Sequence, residues 1–293
     1  MKLGRIGIWT FALDLQPGRK AQEAAAQIEE LGYGAIWIPE ALGREAFTNA
    51  ALLLAGTRRI VVATGIASIW ARDAMACAAA QKTLCEAFEG RFLLGLGVSH
   101  APMVGMRGHQ YDKPVAAMRR YLDAMDAAPF MAVPPAETPK RVLAALHPKM
   151  LGLARDRADG SHTYFVPPEH TAWAREQLGP DKILAVEQTA VLVTDASEAR
   201  SLARRFMSVY LGLPNYVRNL QRLGFSDDDI ANGGSDRLVD AIVAWGDEAA
   251  IARRVREHLD AGASHVCVQV LDPDPRALPM PQWRRLAPAL LQG

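Results

Sequence analysis

Three side chains in this 293-residue sequence, Glu40, His100 and His147, each follow a nearly wholly apolar run. His100 closes the segment Gly90-Arg91-Phe92-Leu93-Leu94-Gly95-Leu96-Gly97-Val98-Ser99-His100, whose apolar part has no polar alternation. A strand of that kind is buried on both faces, as in a parallel sheet covered by helices. In parallel α/β folds the carboxyl end of a strand is where chemistry sits. Imidazole is the side chain best matched to proton transfer near neutral pH. His100 and His147 are therefore candidate proton-handling groups, although a lone loop histidine is more often a packing or solvated residue. Glu40 is a candidate of the same kind, or else a carboxylate that caps the next helix. After His147, Pro148 suits a first helical turn, so the amides at Lys149 and Met150 offer a positive helix end to an anion. The bland alternative for Lys149 is an ordinary exposed lysine.

The elements that must carry these groups alternate with few interruptions. Strands are expected near residues 5–9, 35–39, 60–67, 92–98, 141–146, 161–166, 183–193 and 266–271. Helices are expected between them, one beginning at Asp73 as an N-cap and stopping at Gly90. Eight parallel strands in fewer than 300 residues is the count of an α/β fold of the (β/α)₈ barrel type. The rival, a doubly wound sheet, carries its glycine fingerprint at the first strand-to-helix turn. No fingerprint lies between Thr10 and Gly18, and Gly95 and Gly97 lie inside a strand without a third glycine. About seventy residues separate the last two strands, more than one crossover needs. One barrel domain over 1–293 is expected, with a helical insertion at about 197–245 that includes Tyr210 and Tyr216. Nothing in their spacing fixes which way those two tyrosines face.

Bulk composition narrows the function classes. Half the residues are hydrophobic and the formal net charge is +1, with 33 basic against 32 acidic side chains. A sizeable core is available, and no basic field for nucleic acid is present. The three cysteines lack metal-ligand spacing and read as reduced thiols. The seven histidines show no H-x-x-x-H or H-x-H pattern, so no metal site is expected. The longest uncharged segment is too short to span a bilayer, and the amino terminus shows no cleavable leader. A cytoplasmic protein with a small-molecule substrate is the expectation, without a nucleic-acid or membrane partner.

Several segments resemble the bacterial luciferase-like oxidoreductases, specifically the branch that uses the 8-hydroxy-5-deazaflavin coenzyme F-420. The resemblance rests on Gly32-Tyr33-Gly34-Ala35-Ile36-Trp37-Ile38-Pro39-Glu40, on Val62-Ala63-Thr64-Gly65-Ile66-Ala67 with Arg72, and on the Gly90–Val98 run. It is reinforced by Ala158-Asp159-Gly160 and by Trp245-Gly246-Asp247 leading to Ala261-Gly262-Ala263-Ser264-His265-Val266. It implies a cofactor at the barrel mouth, hydride transfer with a small organic substrate, and a homodimer, for which the apolar stretch 47–54 would serve. FMN and a monooxygenase reaction are the alternative, and a non-catalytic ligand-binding barrel is the second. The resemblance further implies cofactor contacts from Glu40, Thr64, Gly65, Ile66, Gly97 and Ser99. A non-prolyl cis peptide would fall at Gly65-Ile66, and Gly97 would keep one wall thin for a flat ring. Lys149, Met150 and Gly160 would hold the cofactor phosphate. Trp70 and Arg72 would border ring or substrate, their plain readings being a packing tryptophan and an arginine paired with Asp73 or Glu86. Relatives often pair the acidic group after the second strand with a histidine, whereas Glu40 is followed by Ala41.

Overall fold

Ten strands, most of them apolar and buried on both faces, join one all-parallel sheet. They are β1 (Ile6–Trp9), β2 (Ala35–Ile38), β3 (Val61–Thr64), β4 (Ala67–Ser68), β5 (Phe92–Gly97), β6 (Arg141–Ala144), β7 (Gly160–Thr163), β8 (Ile183–Val191), β9 (Ala244–Trp245) and β10 (His265–Val270). The computed structural model describes residues 1–292. β10 pairs with β1 on one side and with β8 on the other, which closes the sheet into a barrel. β3 and β4 form one stave, interrupted at a cis peptide between Gly65 and Ile66. β9 extends the end of β8 outside the ring. Eight staves remain, as the strand count requires.

The helices are α1 (Gly18–Glu30), α2 (Ala46–Ala55), α3 (Ala74–Ala87), α4 (Ala101–Met106), α5 (Pro114–Asp126), α6 (Pro148–Arg157), α7 (Pro168–Leu178), α8 (Ala196–Leu211), α9 (Pro214–Arg222), α10 (Asp227–Ile230), α11 (Asp236–Ile242), α12 (Glu248–Asp260) and α13 (Met280–Leu291). Their starts are chemically marked. The carboxylates of Asp73, Asp195 and Asp247 accept the N–H of Ala76, Glu198 and Ala250, satisfying donors that a helix leaves free. Gly90, with φ of 73°, ends the turn after α3. The run from α8 to α11 lies between β8 and β9.

Two apolar layers follow from the alternation of side chains along each stave. Ile8, Ile36, Val62, Leu94, Val186 and Val268 point outward and pack under the helices. Trp9, Trp37, Ala63, Leu93, Val142, Ala185 and Cys267 fill the interior. Phe47, Leu53 and Leu54 on α2 are buried in the chain's own core. In the same stretch Thr48 is exposed and Ala51 and Leu52 are half-buried, so one side of α2 faces outward. No helix is long and apolar enough to cross a membrane among the described residues.

Candidate active site

Glu40 follows β2 at the carboxyl rim, and its carboxylate is fully engaged there. One oxygen accepts the N–H of Ala46 at the start of α2 (3.1 Å), and the other accepts the N–H of Ser68 on β4 (2.8 Å). The Arg72 guanidinium pairs with Glu40 and with Glu45 (2.7 Å) and lies 4.7 Å from the centre of the Phe47 ring. The Glu40 side chain is 3% exposed and that of Arg72 11%. These contacts make Glu40 a clamp joining α2, β4 and the loop before α3. Both oxygens hold donors and a cation sits beside them, which is the helix-capping arrangement that was the alternative reading of Glu40. Arg72 directs one guanidinium nitrogen, Nη2, to Glu40 and Glu45, while its buried Nη1 has no hydrogen-bond partner among the described residues. Trp70 donates its indole N–H to the Val98 carbonyl (2.9 Å) and packs 5.6 Å from His109. It locks β4 against the end of β5.

Next to this clamp the third stave bulges. The Thr64 hydroxyl donates to the Gly95 carbonyl (2.7 Å) and accepts the Gly95 N–H (2.9 Å), so this fully buried side chain faces the neighbouring strand, not a ligand. Gly65 and Ile66 are half-buried at the mouth, and Trp9 donates its indole N–H to the Gly65 carbonyl (3.2 Å). A Cβ on Gly95 would lie 2.0 Å from the Thr64 carbonyl oxygen, and one on Gly97 would lie 2.5 Å from Cδ1 of Ile66. These glycines make room for the bulge and for the Ile66 side chain.

Ser99 and His100 stand half-buried after β5. The His100 ring lies 5.4 Å from that of Tyr216 and has no hydrogen-bond partner among the described residues. Burial lowers its pKa below the ordinary imidazole value. His147 is differently placed: its Nε2 lies 3.1 Å from the Asn215 carbonyl, tying α9 to the end of β6. The His147 carbonyl accepts the N–H of Met150 (3.1 Å). Met150 is thus buried with its amide in use, which removes it from the expected anion set, whereas Lys149 is exposed at the helix start. Gly160 is also removed. It opens β7 at the opposite end of the barrel, where a Cβ would lie 1.9 Å from the Ile183 carbonyl oxygen.

The floor of the mouth is built from residues that form no motif along the chain. Tyr164, just beyond β7, packs 5.1 Å from Trp9 and donates its hydroxyl to Oε1 of Gln269 (2.8 Å). With that proton given away, it accepts from the Tyr210 hydroxyl at 2.7 Å. Tyr210 and Tyr216, from α8 and α9, stand edge to face 5.2 Å apart above this floor. Phe165 has φ of 59°, uncommon for a bulky residue, and stacks on Tyr210 at 5.0 Å. Its N–H donates to Oε2 of Glu187 (3.2 Å), while Oε1 accepts the Thr189 hydroxyl (2.7 Å). Glu187 is 1% exposed. Burial pushes its carboxyl up to about 7, against the lowering effect of those two hydrogen bonds. Its signal in the sequence was a lone carboxylate inside the apolar run Ile183-Leu184-Ala185-Val186-Glu187.

Deeper in the barrel, His162 stacks on Trp37 (4.5 Å, 19°), and His265 accepts the Trp37 indole N–H at 2.9 Å. Burial pushes these imidazoles down to about 3 and about 4, so both are neutral near pH 7. The mouth above them combines aromatic walls with polar groups that have no hydrogen-bond partner among the described residues, the His100 ring and the Tyr216 hydroxyl. Such a set suits a flat, polar-edged heterocycle better than a metal ion.

The model of the luciferase-like monooxygenase family matches residues 5–265. A putative coenzyme F-420-dependent oxidoreductase of Mycobacterium tuberculosis is 29% identical over 257 residues, covering 72% of this chain and 73% of that protein. The 5,10-methylenetetrahydromethanopterin reductase of Methanolobus tindarius is 26% identical over 305 residues, covering 88% and 93%. Among solved structures, an F-420-dependent secondary alcohol dehydrogenase bound to an F-420–acetone adduct superposes with a TM-score of 0.78. It is 15% identical and covers 98% of each chain, a likeness of fold.

Proposed function

The chain belongs to the luciferase-like monooxygenase family, and from that premise we propose that it is an oxidoreductase moving a hydride between a small organic substrate and coenzyme F-420. The observation that carries this reading is the mouth itself. The Gly65–Ile66 bulge is half-open beside Ser99 and His100, facing Trp9, Tyr164 and Tyr216, with Lys149 and the start of α6 at the rim. One relative and one fold neighbour whose names carry F-420 dependence support the choice of coenzyme.

When bound, the deazaflavin supplies a carbon that accepts or gives a hydride, so substrate redox is favoured over oxygen activation. Every other task falls to the chain. Ile66 and the bulge backbone form a wall for the ring, held by the Glu40–Arg72 clamp and by the Trp9 indole on the Gly65 carbonyl. The exposed Lys149 ammonium and the free amide of the first turn of α6 suit the coenzyme's phosphate. Tyr210 and Tyr216 cover the mouth from the insertion and exclude water. His100, half-buried and with its ring free, can hydrogen-bond the substrate or the edge of the ring at the rim.

Titrating the purified protein with coenzyme F-420 and, separately, with FMN tests the reading. Micromolar binding of the deazaflavin, with weaker FMN binding, is expected. Tight FMN binding with oxygen consumption would establish the flavin monooxygenase alternative instead. No binding of either compound would leave a ligand-binding barrel.

A further inference from the structure

Among the described residues, Glu187 is the one buried carboxyl of the barrel mouth without a cation. β8 is the seventh of eight staves and the bulged stave is the third, so Glu187 and Ile66 belong to opposite walls. Thr189, two residues farther toward the rim on the same face, pairs in register with Gln269 of β10. Glu187, Thr189, Gln269, Tyr164 and Tyr210 form a polar strip across an otherwise aromatic floor. The titratable groups facing Glu187 are the phenols of Tyr164, Tyr210 and Tyr216 and the Cys267 thiol. Burial raises all of them, so all are neutral near pH 7. No lysine, arginine or charged histidine faces it among the described residues. An unpaired carboxyl in such a place is costly unless it holds a proton.

We propose that Glu187 is the proton store of the reaction, reached from the mouth through the Thr189 hydroxyl. The inference rests on the deazaflavin reading and commits to a substrate whose reacting carbon carries a hydroxyl group. In the oxidative direction, the C–H electron pair leaves as hydride to the oxidised deazaflavin. The O–H proton passes to Thr189, whose own proton moves to the Glu187 carboxylate, and a carbonyl remains. Reduction reverses each transfer. Glu40 is unsuited because it is ion-paired, and His147 because it is tied to Asn215.

Infrared difference titration of the ligand-free protein reads the carboxyl directly. A protonated-carboxyl band with a midpoint near pH 7 is expected, and it should be absent from Glu187→Gln. A midpoint below about 5, the range of an unperturbed carboxyl, would overturn the proposal. In single-turnover hydride transfer, the wild-type rate should inflect at that same midpoint. Glu187→Gln should lose the inflection and slow about 10²- to 10⁴-fold with deazaflavin affinity unchanged. Thr189→Val should lose the inflection too and carries the test if Glu187→Gln does not fold, while Thr189→Ser should retain it. An inflection that persists in both Glu187→Gln and Thr189→Val but disappears in His100→Ala assigns the proton to His100 and overturns the proposal. A protein that binds no deazaflavin overturns the functional reading instead, and that failure is seen in the binding titration alone.

Discussion

Glu40 and Glu187 are both carboxyls at the mouth of one barrel, both almost wholly buried, and they are held in opposite ways. Glu40 has two backbone donors and the Arg72 guanidinium in contact. Glu187 has one backbone donor, one hydroxyl and no cation. Burial is common to both, so burial alone does not separate a structural carboxyl from a chemical one. The neighbouring charge does. A paired carboxylate fixes the elements around it, whereas a buried carboxyl with no cation beside it holds its proton more tightly and can exchange it.

The largest test of this contrast is to remove the paired side. Glu40→Ala leaves Arg72 buried at the rim with only the half-exposed Glu45 as its counterion, and should destabilise the fold by about 3–5 kcal/mol. Urea unfolding would measure it, and a loss below about 1 kcal/mol would show that the clamp is ornamental.

The unpaired side should respond to pH instead. The folded-state pKa of Glu187 is raised, so its stabilising contribution is present at low pH and is lost as pH rises through about 7. Between about pH 5 and pH 8 the wild type should lose roughly 2–3 kcal/mol relative to Glu187→Gln. Parallel stability curves for the two proteins would contradict an unpaired, raised carboxyl.

Smaller effects sharpen the picture on each wall. Gly97→Ala drives a methyl into Ile66, a flexible neighbour, and should cost about 1–3 kcal/mol with weaker deazaflavin binding. Tyr210→Phe removes one hydroxyl from the strip beside Glu187 and should cost about 1 kcal/mol. If it instead shifts the infrared midpoint of Glu187 strongly, the tyrosines belong to the proton circuit. Lys149→Ala should leave stability within about 0.5 kcal/mol and weaken only coenzyme binding, read by titration at two salt concentrations.

Much of this was legible along the chain. The eight staves follow from apolar runs bounded by Asp caps and Gly stops, because both signals are local. The end of β7 was not: residues 164–166 read as strand, yet Phe165 turns left-handed because the Glu187 carboxylate, 22 residues away, accepts its N–H. His100 and His147 occupy equivalent positions after apolar runs, and only packing separates them. One ring is free beside Tyr216 and the other is tied to Asn215.

The sequence by itself determined the barrel, its family and the rim on which the site is built, since these depend on periodicity, caps and short motifs. Tertiary structure decided which carboxyl is spent and which is available. That choice depends on whether a cation from elsewhere in the chain arrives beside a buried charge, and for Glu40 it is Arg72, 32 residues farther on. It also decided what Gly95 and Gly97 admit. Chain order shows that a side chain is missing, and only the folded neighbours show what occupies its place.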